Sequence, residues 1–138
     1  MTVAVRYYTQ TGNSKKLAEA IAEQLGVAAA DVTCPLTEKA DVLFLCNSVY
    51  WAGIDKRVKA FVADNAANIG TLVNVSTAAL IESTYKQMQK VAAAAGVSLC
   101  GQEFHCRGKF ALLHGGHPDE ADLIAVRAFA EKVVGPRE

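Results

Sequence analysis

The sequence predicts a doubly wound α/β domain, and three observations carry that prediction. β-branched and aromatic runs alternate with amphipathic helical stretches five times along the chain. One run, Val42-Leu43-Phe44-Leu45-Cys46, is unbroken apolar, as a central parallel strand covered on both faces must be. Three of the four helical stretches end in glycine, at Gly26, Gly96 and Gly135, where a left-handed residue stops a helix. With 138 residues, 51% of them apolar and only 3 prolines, the chain builds one core and one domain spanning residues 1–138.

Val3–Tyr8 is the first strand. Residues 14–25 then set Leu17, Ala18, Ile21, Ala22 and Leu25 on one helical stripe. Val27–Thr33 is a weaker second strand that Pro35 ends, and residues 35–40 are too short for more than a turn of helix. Val42–Cys46 is the third strand. Asp55 to Asn65, with Val58, Phe61 and Val62, is the next helix, and Leu72–Ser76 is the fourth strand. Residues 81–95 place Ile81, Tyr85, Met88, Val91, Ala92 and Ala95 at helical spacing. Residues 97–106 alternate, with Leu99, Phe104 and Cys106 among Gln102, Glu103 and His105, which suits an edge strand. A last helix over 119–134 turns Leu123, Val126, Ala130 and Val133 inward and ends at Gly135-Pro136.

Fourteen basic and fourteen acidic residues cancel, which points away from nucleic acid and from a membrane-seeking face. No signal-peptide pattern and no apolar run near the ~20 residues of a membrane span is present, so the expected location is cytoplasmic. Cys34, Cys46, Cys100 and Cys106 form no C-x-x-C pair. Cys100 and Cys106 lie about 20 Å apart if the strand is extended, so neither a disulfide nor a metal site is expected. His105, His114 and His117 lack metal-ligand spacing and are read as structural or solvated.

The segment following the first strand, Thr9-Gln10-Thr11-Gly12-Asn13-Ser14, holds three hydroxyls, two carboxamides, a glycine and no carboxylate. It opens a helix, whose first backbone N–H groups point outward and carry partial positive charge. Such a loop binds a phosphate without a cation. Helix capping by Thr11 or Asn13 explains one or two polar residues, not five and a glycine in a row. The G-x-x-x-x-G-K-S/T pattern of a nucleotide triphosphatase and the G-x-G-x-x-G dinucleotide fingerprint are both absent. What remains suits one terminal phosphate held by neutral donors. Lys15 and Lys16 are a solvated face that adds a little attraction.

In a doubly wound sheet ligands sit beyond the carboxyl ends of the strands. Two further loops are expected on that edge. After the third strand come Asn47, Ser48, Val49, Tyr50, Trp51, Ala52 and Gly53, and an exposed Tyr-Trp pair is costly to leave in water unless it covers a flat aromatic ligand or packs over the next helix. Trp51, the chain's single tryptophan, sits on the ligand edge, which favours the ligand. After the fourth strand, Ser76, Thr77, Ala78 and Ala79 let a ring edge approach the main chain.

The segment at 9–14 resembles the flavodoxin phosphate loop, T-x-T-G-N-T/S, and the aromatic loop at 50–53 sits where flavodoxins cover their ring. The stretches 104–110 and 117–123 resemble short bacterial flavodoxin-like proteins, so the likeness runs through essentially the whole chain. It implies a three-layer α/β/α flavodoxin-like fold with a five-stranded parallel sheet in the order 2-1-3-4-5, of the short-chain type without an insert in the fifth strand. It implies FMN as cofactor, with Thr9, Thr11 and Ser14 hydroxyls, the Asn13 amide and backbone N–H groups of 10–14 on the phosphate. Tyr50 or Trp51 would stack on the isoalloxazine, and backbone of 76–79 would meet the pyrimidine edge. The implied role is a monomeric carrier passing single electrons between transient redox partner proteins through the semiquinone/hydroquinone couple, with no catalytic residue of its own. Gly53 would allow the peptide flip that stabilises the one-electron state.

The chain departs from that family in two ways. It is neutral where flavodoxins are strongly acidic, and Lys56 and Arg57 follow the aromatic loop directly. Glu82-Ser83-Thr84-Tyr85 resembles a family motif whose tyrosine stacks on the flavin, but Tyr85 also fits the buried stripe of its helix, and the core role is expected. The alternatives are a flavin-dependent NAD(P)H or quinone reductase on the same fold, and a non-redox module that has lost the flavin. A phosphoacceptor domain is excluded, because Tyr8-Thr9 and Asn47-Ser48 stand where its carboxylates are needed.

Overall fold

The computed structural model describes residues 1–9, 12–49, 54–78, 84–106 and 118–135, with backbone alone for Val49, Ala78 and Cys106. Strand β1 (Val3–Tyr7) leads through helix α1 (Asn13–Leu25) to β2 (Ala29–Asp31). Strand β3 (Ala40–Val49) is followed by α2 (Lys56–Asp64) and a 3-10 turn at Ala66–Asn68. Strand β4 (Ile69–Ala78) is followed by α3 (Tyr85–Ala95), the short strands β5 (Ser98–Leu99) and β6 (Phe104–Cys106), and α4 (Glu120–Val134). All pairings among the described residues are parallel, in the order β2-β1-β3-β4-β5, with β6 also beside β4. This is the doubly wound sheet that the sequence predicts, in the order 2-1-3-4-5 that the flavodoxin resemblance implies.

Alternation along β3 and β4 divides the core between two faces. Val42, Phe44, Cys46, Val73 and Val75 pack against Leu17 and Ile21 of α1 and Val126 and Ala130 of α4. Leu43, Leu45 and Leu72 pack against Val58, Phe61 and Val62 of α2 and Met88 and Ala92 of α3. Phe129 of α4 meets Phe44 edge-on at 6.5 Å and Phe104 at 5.8 Å, closing the outer strand over the first face.

Helix ends follow the local chemistry. Gly26 and Gly96 adopt left-handed conformations, and Val27 and Val97 return N–H bonds to Ala22 and Ala92. Asp119 and Asp122 form a reciprocal capping box at α4.

Three segments differ from expectation. The second strand is only Ala29–Asp31, because Val27 is used in the cap of α1 and the Asp31 carboxylate accepts the Thr33 N–H at 2.9 Å, turning the chain early. The third and fourth strands run past Cys46 and Ser76, with the ladder continuing through Asn47–Ser76, Ser48–Thr77 and Val49–Ala78. Asn47, Ser48 and Val49, and likewise Thr77 and Ala78, are therefore strand rather than loop. Polar side chains can stay in a buried ladder here because they satisfy one another. The fifth strand is broken: four residues, 100–103, separate β5 from β6 where β4 uses two. That bulge leaves the edge at Cys100 held by its N–H to Leu72 O at 2.8 Å.

Candidate functional site

The carboxyl ends of β1 and β3 are adjacent, while the chain leaves β1 for β2 on its other side, so the switch point of the sheet lies between them. Helix α1 starts there. Its N-cap is Gly12 at φ 91°, a left-handed residue with no side chain to offer the first turn, and that turn holds no acidic residue. A carboxylate or hydroxyl cap would otherwise take up those N–H groups. The Thr9 hydroxyl accepts the Gly12 N–H at 2.8 Å, bracing the loop from within, and Lys16 N–H to Gly12 O at 3.1 Å begins the helix.

Just inside the first turn, Ser14 is fully buried. Its hydroxyl pairs with that of Ser48 at the end of β3 and lies 3.4 Å from Thr77 Oγ1 at the end of β4. Ser48 and Thr77 are themselves 2.8 Å apart and opposite in the ladder. The α1 face of the sheet thus changes from Cys46 and Val75 to a closed cluster of three hydroxyls that ties the helix start to two central strands.

The other face changes in the same register. Asn47 donates its side-chain amide to Asn74 Oδ1 at 2.8 Å and to the carbonyls of Leu45 and Val75 at 3.2 and 3.1 Å. Thr84, the N-cap residue of α3, donates to Asn47 Oδ1 at 3.0 Å and accepts from Asn74 Nδ2 at 2.9 Å. Asn47, Asn74 and Thr84 are all at 0% exposure. One ladder step on, Ser76 Oγ lies 3.1 Å from His105 Nδ1 on β6. Among the described residues no buried side-chain nitrogen or oxygen lacks a partner. Beside β1, Arg57 reaches across from α2, giving one N–H to the Tyr8 hydroxyl at 2.8 Å with its guanidinium carbon 5.5 Å from the ring centroid.

No protein-family model and no curated protein matches this chain. Solved structures do. A flavodoxin from the domain Archaea superimposes with a TM-score of 0.72 at 14% identity, covering 98% of this chain and 100% of that one. A flavodoxin of Streptococcus pneumoniae gives 0.66 at 18% identity, covering 97% and 98%. The rubredoxin:oxygen oxidoreductase of Desulfovibrio gigas gives 0.71 at 12% identity, covering 94% of this chain and 34% of that one. The fold is flavodoxin-like.

On the carboxyl edge of this flavodoxin-like sheet, the described members of the predicted site come together from three elements. Thr9, Gly12, Asn13 and Ser14 stand at the α1 start. Asn47, Ser48 and Val49 end β3, and Ser76, Thr77 and Ala78 end β4. Asn13 and Ser14 are buried, as are Asn47, Ser48, Ser76 and Thr77. Gln10 and Thr11, the aromatic loop Tyr50, Trp51, Ala52 and Gly53, and Ala79 lie outside the described residues. Tyr85 turns its hydroxyl to Cys100 O at 2.9 Å, securing the bulge between β5 and β6. Asn74 and Thr84 are parts of this edge that the sequence reading passes over, although an asparagine inside Leu72-Val73-Asn74-Val75 signals a required buried partner. No group of three or more His, Cys, Asp or Glu among the described residues could hold a metal ion. No helix among them is long and apolar enough to cross a membrane.

Proposed function

We propose that this chain binds flavin mononucleotide at the carboxyl edge of its sheet and carries single electrons between redox partner proteins. The observation that carries the reading is the start of α1 at the switch point, with Gly12 at φ 91° and no side-chain cap on the first turn. The space where a Gly12 Cβ would stand has no atom within 4 Å. A terminal phosphate fits such a position, because backbone donors and the helix dipole converge on it without a cation.

Thr9, Thr11 and Asn13, with backbone N–H groups of 10, 11, 13 and 14, would hold the phosphate, while the Gly12 N–H is held by Thr9. Ser14 would act from beneath through its bond to Ser48. The ring would lie toward 50–53, with Tyr50 or Trp51 against it and the main chain at 76–79 along its edge. The flavin supplies the electron-accepting ring; the chain binds it, orients it and excludes water from one side. The fold neighbours support this reading, since two of those named above are flavodoxins.

The test is the visible spectrum of the purified protein, with and without added flavin mononucleotide, during stepwise reduction. Stoichiometric uptake and a titration in two one-electron stages are expected. A colourless protein that takes up none would make it a non-redox module, and immediate bleaching by NADPH alone would make it a reductase.

A further inference from the structure

We propose that the outer face of α2 and α3 is a docking surface for an acidic protein partner, seated beside the ligand edge. Charge is unevenly placed on this neutral chain. The two helices carry Lys56, Arg57, Lys59, Lys86 and Lys90 against Asp64 alone, five of the chain's 14 basic residues and one of its 14 acidic residues. The pair is therefore net +4 and the remainder of the chain net −4. On the opposite face α1 balances Lys15 and Lys16 with Glu19 and Glu23, and α4 is slightly acidic.

All five cations are exposed. None of the four lysines makes an ion pair among the described residues, and Arg57 gives one N–H to Tyr8. Holding five like charges on two neighbouring helices, with no ion pair for the four lysines among the described residues, is unfavourable to the isolated chain, and an opposite surface relieves it.

Between the helices runs a groove of about 390 Å³, lined by Lys59, Ala63, Lys90, Val91, Ala94 and Ala95. A second hollow of about 280 Å³ shares Lys59, Lys90 and Val91 and extends to Ile54 and Gln87. Ile54 directly follows the 50–53 loop, so the groove leads up to the ligand edge. Three alanines and a valine line the groove, with one lysine from each helix. The apolar stretch gives a partner's apolar side chain a place to bury, and the two lysines give its carboxylates an opposite charge. A nucleic acid presents phosphates and has little use for an alanine and valine stretch, and a small anion needs converging donors rather than one lysine from each helix.

The purpose of this surface rests on the electron-carrier reading, because a partner seated here lies next to the expected ring. Its existence does not, and the experiment keeps the two apart. The isotope-labelled full chain is titrated with a synthetic amphipathic helix bearing leucines flanked by glutamates, and in parallel with the same helix carrying lysine for glutamate. Backbone amide shifts are expected on 56–63 and 86–95 with the acidic helix only, weakening about tenfold as salt rises from about 0.05 to 0.5 M. The double reversal Lys59→Glu/Lys90→Glu is expected to weaken binding at least about tenfold. It should leave the thermal midpoint and flavin mononucleotide uptake unchanged. The remote reversal Lys39→Glu/Lys132→Glu should bind as the parent does.

Shifts confined to α1 and α4, equal binding of the lysine helix, indifference to the groove reversal, or tighter binding of a short DNA duplex on the same face would each overturn the proposal. Absence of flavin uptake would overturn the carrier reading while the peptide titration still decides the docking face.

Discussion

Asn47 on β3 donates its side-chain amide to Asn74 on the neighbouring β4 at 2.8 Å, with both residues fully buried and Thr84 at the α3 start closing the network. Three elements that border the carboxyl edge of the sheet are thereby joined on the face away from α1. Replacing Asn74 by leucine removes a donor and an acceptor and takes one partner each from Asn47 and Thr84. The expected destabilisation is about 1–3 kcal/mol, read as a lowered urea midpoint at unchanged slope. Asn47→Leu/Asn74→Leu should lose less than the sum of the single changes, because it removes both members of the pair. Strict additivity would mean that the two side chains are not coupled.

The architecture was legible because alternating apolar runs and glycine stops are local signals. Val42–Cys46 announces a central strand without reference to any other residue. The start of α1 after β1 was legible for the same reason, since five polar residues and a glycine in a row after a strand need no tertiary context. The fates of individual side chains were not. Asn47 and Ser48 are adjacent in sequence, yet the strand sends them to opposite faces, one to Asn74 and Thr84, the other to Ser14 and Thr77. Those partners lie 27 to 37 positions away, and no sequence window holds them together. The bulge at 100–103 was hidden likewise, because a break in an edge strand depends on what the neighbouring strand offers.

Gly12→Ala isolates the backbone contribution of the loop. Gly12 sits at φ 91° with open space where a Cβ would go, so the substitution meets strain but no clash. The left-handed penalty is roughly 1–2 kcal/mol. If the loop relaxes to avoid it, the first-turn N–H groups lose their aim, and flavin mononucleotide affinity should fall about 5- to 30-fold in a fluorescence-quenching titration. Unchanged affinity would place the phosphate elsewhere.

Tyr85→Phe separates a packing residue from a ring-stacking one. The hydroxyl donates to Cys100 O at 2.9 Å and holds the bulge of the outer strand. Removing it should lower stability by about 0.5–1.5 kcal/mol and speed hydrogen exchange around Gly101 and Gln102. Flavin affinity and spectrum should not change. A shifted flavin spectrum would instead put Tyr85 against the ring.

Ser48 is the shared member of the hydroxyl cluster: it pairs with Ser14 and with Thr77 Oγ1 at 2.8 Å, whereas Ser14 and Thr77 stand at 3.4 Å, where little bonding remains. Ser48→Ala therefore breaks both strong links, while Thr77→Val breaks one and keeps the side-chain shape. With Ser48 gone, two fully or nearly buried hydroxyls need new partners, and the first turn of α1 is no longer tied to β3. We expect Ser48→Ala to lower stability by about 1–3 kcal/mol and Thr77→Val by less. The decisive reading is the flavin mononucleotide dissociation constant measured well below each variant's unfolding midpoint. If the cluster sets the position of the phosphate-binding turn, that constant rises several-fold for Ser48→Ala and little for Thr77→Val. Equal constants in the two variants and the parent, despite lowered midpoints, would reduce the cluster to core packing and leave the orientation of the loop to Thr9 and Gly12.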